Sequence, residues 1–232
     1  LMANPALMVV APLVFKDNGY DARRDFVPVA HVTDYDFGIA VGPAVPVREV
    51  SHLLAWLRAN PTQANFGVPA TGSLPHFFAL MLAKKANVEG QVVGYRGSGP
   101  LATDLIGGQV PVAIDTLDVL ATLHDAGRLR VLASSGAKRS GLLPAVPTLR
   151  ESGIDIEATG WNALFAPATM PATAVQHWSK AIRDVMNEPA TRKAFVEAKM
   201  DPVAADAAET AERLRRYRAQ WEPVVRDSGF EG

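Results

Sequence analysis

Asn65-Phe66-Gly67-Val68-Pro69-Ala70-Thr71-Gly72-Ser73-Leu74-Pro75-His76-Phe77-Phe78 passes from a short β-rich run, through a turn of small residues, into a helical pattern. Ser73 reads as an N-cap, and Leu74, Phe77, Phe78, Met81 and Leu82 form the apolar stripe of the helix behind it. The alternation continues on both sides. Upstream, Val50, Leu53, Leu54 and Leu57 recur at i, i+3, i+4 and i+7, predicting a helix that Pro61 ends. Downstream, Val88 to Tyr95 is a strand by its β-branched content, and Pro100 to Ile106 a helix closed by Gly107-Gly108. Val110 to Ile114 reads as a strand, Thr116 to Ala126 as a helix ended by Gly127, and Leu129 to Ala133 as a strand. Helix and strand therefore alternate through residues 48–134, which predicts one complete doubly wound α/β domain.

The flanks read differently. Pro144, Pro147 and Gly153 break up a loop-rich stretch, and Trp161 to Ala166 is extended. Three helical patterns follow. The first carries Val175, Trp178, Ile182, Val185 and Met186; Asn187-Glu188-Pro189 separates it from the second; the last carries Leu214, Tyr217, Trp221 and Val225. These helices have apolar faces but almost no strands of their own to cover, and residues 1–47 offer too few to supply a sheet. Leu7-Met8-Val9-Val10-Ala11 reads as the interior of a folded segment, and Leu1 to Pro5 has no signal-peptide pattern. A missing N-terminal βαβ region is the expectation.

Composition narrows the function. The 232 residues are 48% hydrophobic and 20% charged, with a net charge of -1, so charge makes no case for nucleic acid or an anionic membrane as partner. No apolar run reaches the ~18 to 20 residues of a membrane span. The absence of cysteine excludes disulfides, thiolate metal sites and a cysteine nucleophile, and fits an oxidising compartment.

Three strand-to-helix turns carry the candidate chemistry. Ala70-Thr71-Gly72-Ser73 precedes a helix N-terminus, where unpaired N–H groups and the positive end of the helix dipole favour an anion. Ser73 has a second reading as a plain helix cap, and the two roles are compatible. In Arg96-Gly97-Ser98-Gly99-Pro100, Ser98 is expected to cap a helix begun by Pro100 and to line the same edge, while Arg96 reads as an exposed structural residue. Asp115-Thr116 forms the third turn; Asp115 either accepts from a ligand amine or hydroxyl or caps the next helix, and its charge would disfavour a second ligand carboxylate nearby. Trp161, with Asn162, and Phe37 wall off a ligand or pack a hinge.

An enzyme is not supported. Ser73, His76 and Asp115 supply the residue types of a hydrolase triad, but Ser73 and His76 lie three apart at a helix start and no Gly-x-Ser-x-Gly elbow is present. His76 reads as a helix residue packed near the turn. His31, His52, His124 and His177 are scattered without metal-ligand spacing, and no Walker or Gly-x-Gly-x-x-Gly loop calls for a cofactor.

The ordered pieces together resemble the tripartite tricarboxylate receptor family, also called the Bug solute receptors. They run through Asn4-Pro5-Ala6-Leu7, Tyr20-Asp21, Asp25-Phe26-Val27-Pro28-Val29, Asn65-Phe66-Gly67, Gly72-Ser73 with His76, and Tyr95-Arg96-Gly97-Ser98-Gly99-Pro100. They continue through Asp104 to Val110, Asp115, Gly127 to Ala133, Lys138-Arg139-Ser140, Pro144 to Thr148 and Leu164-Phe165-Ala166-Pro167-Ala168. The resemblance implies an α/β, type II periplasmic-binding-protein-like fold of two doubly wound lobes with a ligand cleft between them. Residues 39–160 would be the second lobe, and residues 1–38 with 161–232 the first, lacking its opening strand and glycine-rich loop. It further implies capture of a small carboxylate in the periplasm for a tripartite tricarboxylate-type membrane transporter, by closure of the lobes, with no cofactor and no metal. The ligand-binding set is then Ala70, Thr71, Gly72, Ser73, His76, Ser98, Asp115, Thr116 and Trp161. A ligand-presenting sensor component is the nearest alternative, and a small α/β hydrolase the alternative from another class.

Overall fold

The computed structural model describes residues 1–15 and 17–230. The chain forms two units: residues 1–35 with those from 160 onward, and residues 36–159. These divisions fall three residues and one residue ahead of the expected boundaries. One long strand, β2 (Phe26–Val41), accounts for the first. Its early residues His31, Thr33 and Asp34 pair in the first unit, and Phe37 to Val41 pair in the second.

The second unit follows the alternation read from sequence. Its elements are α2 (Val50–Ala59), β3 (Asn65–Val68), α3 (Leu74–Ala86), β4 (Gln91–Gly94), α4 (Ser98–Ile106), β5 (Val112–Thr116), α5 (Leu117–Asp125) and β6 (Arg130–Ser134). The sheet order is β6-β2-β5-β3-β4. β3 pairs in parallel with β4 and with β5, whereas β2 lies antiparallel between β5 and β6. The core is large and apolar: Phe37, Ile39, Leu53, Leu57, Phe66, Phe77, Phe78, Leu82, Leu101 and Leu105 are all essentially inaccessible. Each such side chain contributes about 1.5–3 kcal/mol relative to exposure, so apolar burial between the helices and the sheet is what stabilises this unit.

Element ends moved where backbone chemistry overruled side-chain pattern. Val88 does not begin a strand, because Asn87 turns left-handed (φ 51°) and the Val88 N–H closes α3 on Ala83 O at 2.9 Å. Pro111 has no N–H to give to a ladder, and β5 starts after it, so Asp115 and Thr116 end the strand instead of opening the helix. α4 begins at Ser98, not Pro100. Its N-cap is Gly97 at φ 105°, a conformation that suits glycine, and Ser98 is its first helical residue.

In the first unit β1 (Met2–Ala3) pairs antiparallel with β7 (Thr159–Pro167), β7 neighbours β2, and β2 pairs antiparallel with β8 (Asp201–Ala205). A π-helical turn over Ala6–Val10 and a short α1 (Ala11–Val14) bury Met8, Val9, Val10 and Val14. α6 (Ala172–Asn187), α7 (Pro189–Glu197) and α8 (Ala207–Asp227) complete it. α8 starts on a capping box, with Asp206 bonding the Glu209 N–H and Glu209 bonding the Asp206 N–H.

Candidate functional site

The candidate site lies at the carboxyl ends of the parallel strands. β3 connects through α3 to β4 on one side, while its other neighbour, β5, connects through α5 to β6 on the opposite side. The chain therefore departs in opposite directions from two adjacent strands. Open α/β sheets bind ligands in the crevice at such a switch point. The turns at 69–73 and 115–117 flank it, and the turn at 95–98 closes the β4 side.

The first turn is pinned to the second by backbone bonds. Tyr95 N–H donates to Val68 O at 2.9 Å and Gly97 N–H to Pro69 O at 2.8 Å. Gly94 lies directly beneath Thr71: a Cβ at that position would sit 2.0 Å from Thr71 Oγ1 and 2.9 Å from its amide nitrogen. This close approach is a constraint that sequence reading missed, since a lone glycine at a strand end has many explanations.

Ala70 and Thr71 are exposed, and Gly72 and Ser73 half-buried. Ser73 caps α3, its hydroxyl accepting the His76 N–H at 3.4 Å. The Gly72 N–H is directed inward to His76 Nδ1 at 2.8 Å. Pro75, at the second helical position, has no N–H at all. The anion-binding expectation is thereby narrowed: within this turn the amides of Thr71 and Leu74 remain for a ligand, not the full set that a helix N-terminus offers. Gly72 turns at φ 75°, a left-handed conformation that suits glycine.

His76 is buried, stacked on Phe77 with ring centroids 5.1 Å apart, and burial lowers its pKa. Nδ1 is occupied by the Gly72 N–H, and the Ser73 hydroxyl accepts the His76 backbone N–H, so neither contact is a base-to-hydroxyl bond.

Asp115 is 2% exposed, at the end of β5. Its Oδ1 accepts the Thr116 N–H at 2.7 Å. It does not cap α5 by side chain, because Thr116 is the N-cap residue and α5 has no side-chain cap. Burial pushes the Asp115 carboxyl above its ordinary range; the Ser98 hydroxyl and the Thr116 N–H pull it down, and Asp118 pushes it up. Ser98 of the second turn and Asp115 of the third are thus coupled electrostatically. Arg96 is exposed.

Trp161 is 3% exposed in the first unit, edge-on to Tyr217 at 5.7 Å and beside Phe165 at 6.2 Å, the surroundings of its packing reading. Asn162 donates to Thr33 Oγ1 at 2.9 Å, and Phe37 packs on Phe78 at 5.6 Å in the second unit. Among the described residues no cluster of three or more His, Asp or Glu is arranged for a metal, and no helix is long and apolar enough to cross a membrane.

Doubly wound α/β architecture with its strand-to-helix turns gathered at the strand ends is that of the type II periplasmic-binding-protein-like fold. The chain belongs to the tripartite tricarboxylate transporter receptor family, TctC, whose profile matches residues 1–230. It is 31% identical over 231 residues to a UPF0065 protein of Bordetella bronchiseptica, spanning all of this chain and 68% of that protein. Rpa4515 of R. palustris, solved with adipate, superposes with a TM-score of 0.88 at 28% identity, over 99% of this chain and 77% of that one. The periplasmic binding protein BugD shares the fold, with a TM-score of 0.83 at 23% identity, over 100% of this chain and 78% of that one. The family is one of solute receptors, not enzymes.

Proposed function

We propose that this chain captures a small carboxylate at the carboxyl edge of the second unit's sheet, as the periplasmic receptor of a tripartite tricarboxylate-type transporter. The observation that carries the reading is the switch point between β3 and β5, flanked by turns bearing Thr71, Ser73 and Thr116. Thr71 and Leu74 supply amides, Ser73 and Thr116 supply hydroxyls, and Ser98 reaches the same edge from α4. The positive end of α3 adds a favourable field for an anion. Asp115 sets the opposite limit: a buried acid beside the turns disfavours a second unprotonated carboxylate close to it. A carboxylate of the ligand therefore belongs at the α3 turn, and its remainder lies toward Ser98 and Asp115 as a neutral or hydroxylated group, with any second carboxylate held away from Asp115. Adipate in Rpa4515, at 28% identity, supports a carboxylate class.

A thermal-shift screen against mono-, di- and tricarboxylates, with neutral solutes as controls, tests this. A ligand at a hundredfold excess over its Kd stabilises by about 2.7 kcal/mol. Stabilisation by a carboxylate supports the reading; a shift from neutral solutes alone removes it. Co-purification with transporter membrane subunits in the presence of that carboxylate tests the delivery role separately.

A further inference from the structure

We propose that His76 is a positioning residue for the solute-binding turn: as a neutral ring with its proton on Nε2, it accepts the Gly72 N–H on Nδ1, and this bond sets the course of residues 70–73. The proposal rests on the carboxylate reading of that turn.

The turn has few other restraints of its own. Ser73 N–H bonds Ala70 O at 3.3 Å and the Ser73 cap bond is 3.4 Å, both long, whereas Gly72 to Nδ1 is 2.8 Å. The short bond is therefore the strongest internal tie. It also decides which amides are left for a ligand, because Gly72's is withdrawn and those of Thr71 and Leu74 are not. His76 is itself fixed, being 8% exposed and stacked on Phe77. A hydrogen on Nδ1 would meet the Gly72 N–H head-on and set a cation at the positive end of α3, so protonation and the observed turn exclude each other. Burial, which lowers the pKa of the ring, acts in the same sense and keeps it neutral at ordinary pH.

The elements packed on α3 bring few competing charges. β5 carries Asp115, the residues after β4 include Tyr95 and Arg96, β2 carries Asp36, and β3 carries none; Lys84 and Lys85 lie in the last turn of α3 itself. The sign of the pH effect follows. Protonation below the lowered pKa of His76 breaks the Gly72 bond, frees the turn and weakens carboxylate binding, so affinity falls as pH falls through that value.

The test uses the full 232-residue chain, with the tightest-binding of malate, glutarate and adipate as probe. Calorimetry from pH 8 to pH 5 compares the parent with His76→Asn, whose side-chain oxygen can replace Nδ1 as acceptor, and with His76→Phe, which keeps a ring but no acceptor. Nitrogen-15 NMR reads the tautomer of the parent ring without any ligand. The expected results are an Nε2–H tautomer, an affinity loss of about tenfold in His76→Phe at pH 8, and near-parental affinity with a flatter pH profile in His76→Asn. An Nδ1–H tautomer overturns the proposal, as does parental affinity in His76→Phe or an equal loss in both variants. Should His76→Phe fail to fold, the tautomer and His76→Asn decide. A parent that binds no carboxylate removes the functional reading beneath it; a parent that binds while the variants behave alike removes only the role of His76.

Discussion

The Ser73 hydroxyl meets the His76 N–H at 3.4 Å, at the long end for a capping bond. Ser73→Ala is expected to cost about 0.5–1 kcal/mol, the lower part of the range for a lost cap, read as a lower unfolding midpoint. On the proposed function its carboxylate affinity also falls, which calorimetry separates from stability. Asp115 behaves in the opposite way. Because burial raises its pKa above the ordinary 3.8, the folded chain holds a proton over a pH range in which the unfolded chain has released it. Stability is therefore reduced above the folded pKa, and the penalty disappears as pH falls through that value toward 3.8. Asp115→Asn keeps an oxygen for the Thr116 N–H, and we expect it to melt above the parent at pH 8, with a gap that narrows toward pH 4. A gap that is constant with pH would assign the effect to packing instead of charge. That Ser73 caps a helix was legible from its neighbours; that His76 takes the Gly72 amide while Pro75 offers none was legible only as residue types, not as directions.

At the scale of elements, the turn at 70–73 is shaped by what lies under it. Gly94→Ala would drive a methyl group into Thr71, 2.0 Å from Oγ1. The expected outcome is displacement of the turn, with carboxylate affinity reduced by about tenfold or more while the unfolding midpoint changes little, since Gly94 is exposed at a strand end. Equal losses of both would mean that the residue matters to β4 and not to the turn. The helices α2, α3 and α5 were readable because their apolar periodicity and stops agree, as with Leu53, Leu54 and Leu57 ahead of Pro61. β8 was not, because Asp201-Pro202-Val203-Ala204-Ala205 has no alternation and is a strand only by virtue of pairing with β2. α8 rests on its capping box, and Asp206→Ala is expected to cost about 1 kcal/mol in chemical unfolding, because it also releases Arg183, bonded to Asp206 at 3.0 Å.

Across the whole molecule, exposed apolar surface is unevenly shared. Of the nine large hydrophobic side chains that are exposed among the described residues, eight lie in the first unit: Leu1, Met2, Leu7, Phe15, Trp178, Val185, Val196 and Met200, with Val93 in the second. On α6 the stripe Val175, Trp178, Ile182, Val185 has the spacing of a buried helix face, yet Trp178 is 55% and Val185 49% exposed. Apolar surface of this kind drives association. Light scattering is expected to show concentration-dependent assembly of the 232-residue chain, reduced in Trp178→Glu with Val185→Lys; unchanged scattering would mean that this stripe is not the adhesive surface. The sequence by itself determined the α/β class, the order of helices and strands in the second unit, and the receptor family, because each rests on local periodicity, turn residues and motif order. The tertiary structure decided where β2 changes units, that Trp161 belongs to a core, and that His76 turns the Gly72 amide inward. Those outcomes depend on contacts between residues distant in the chain, or on the direction of a single N–H, and neither is written in residue spacing.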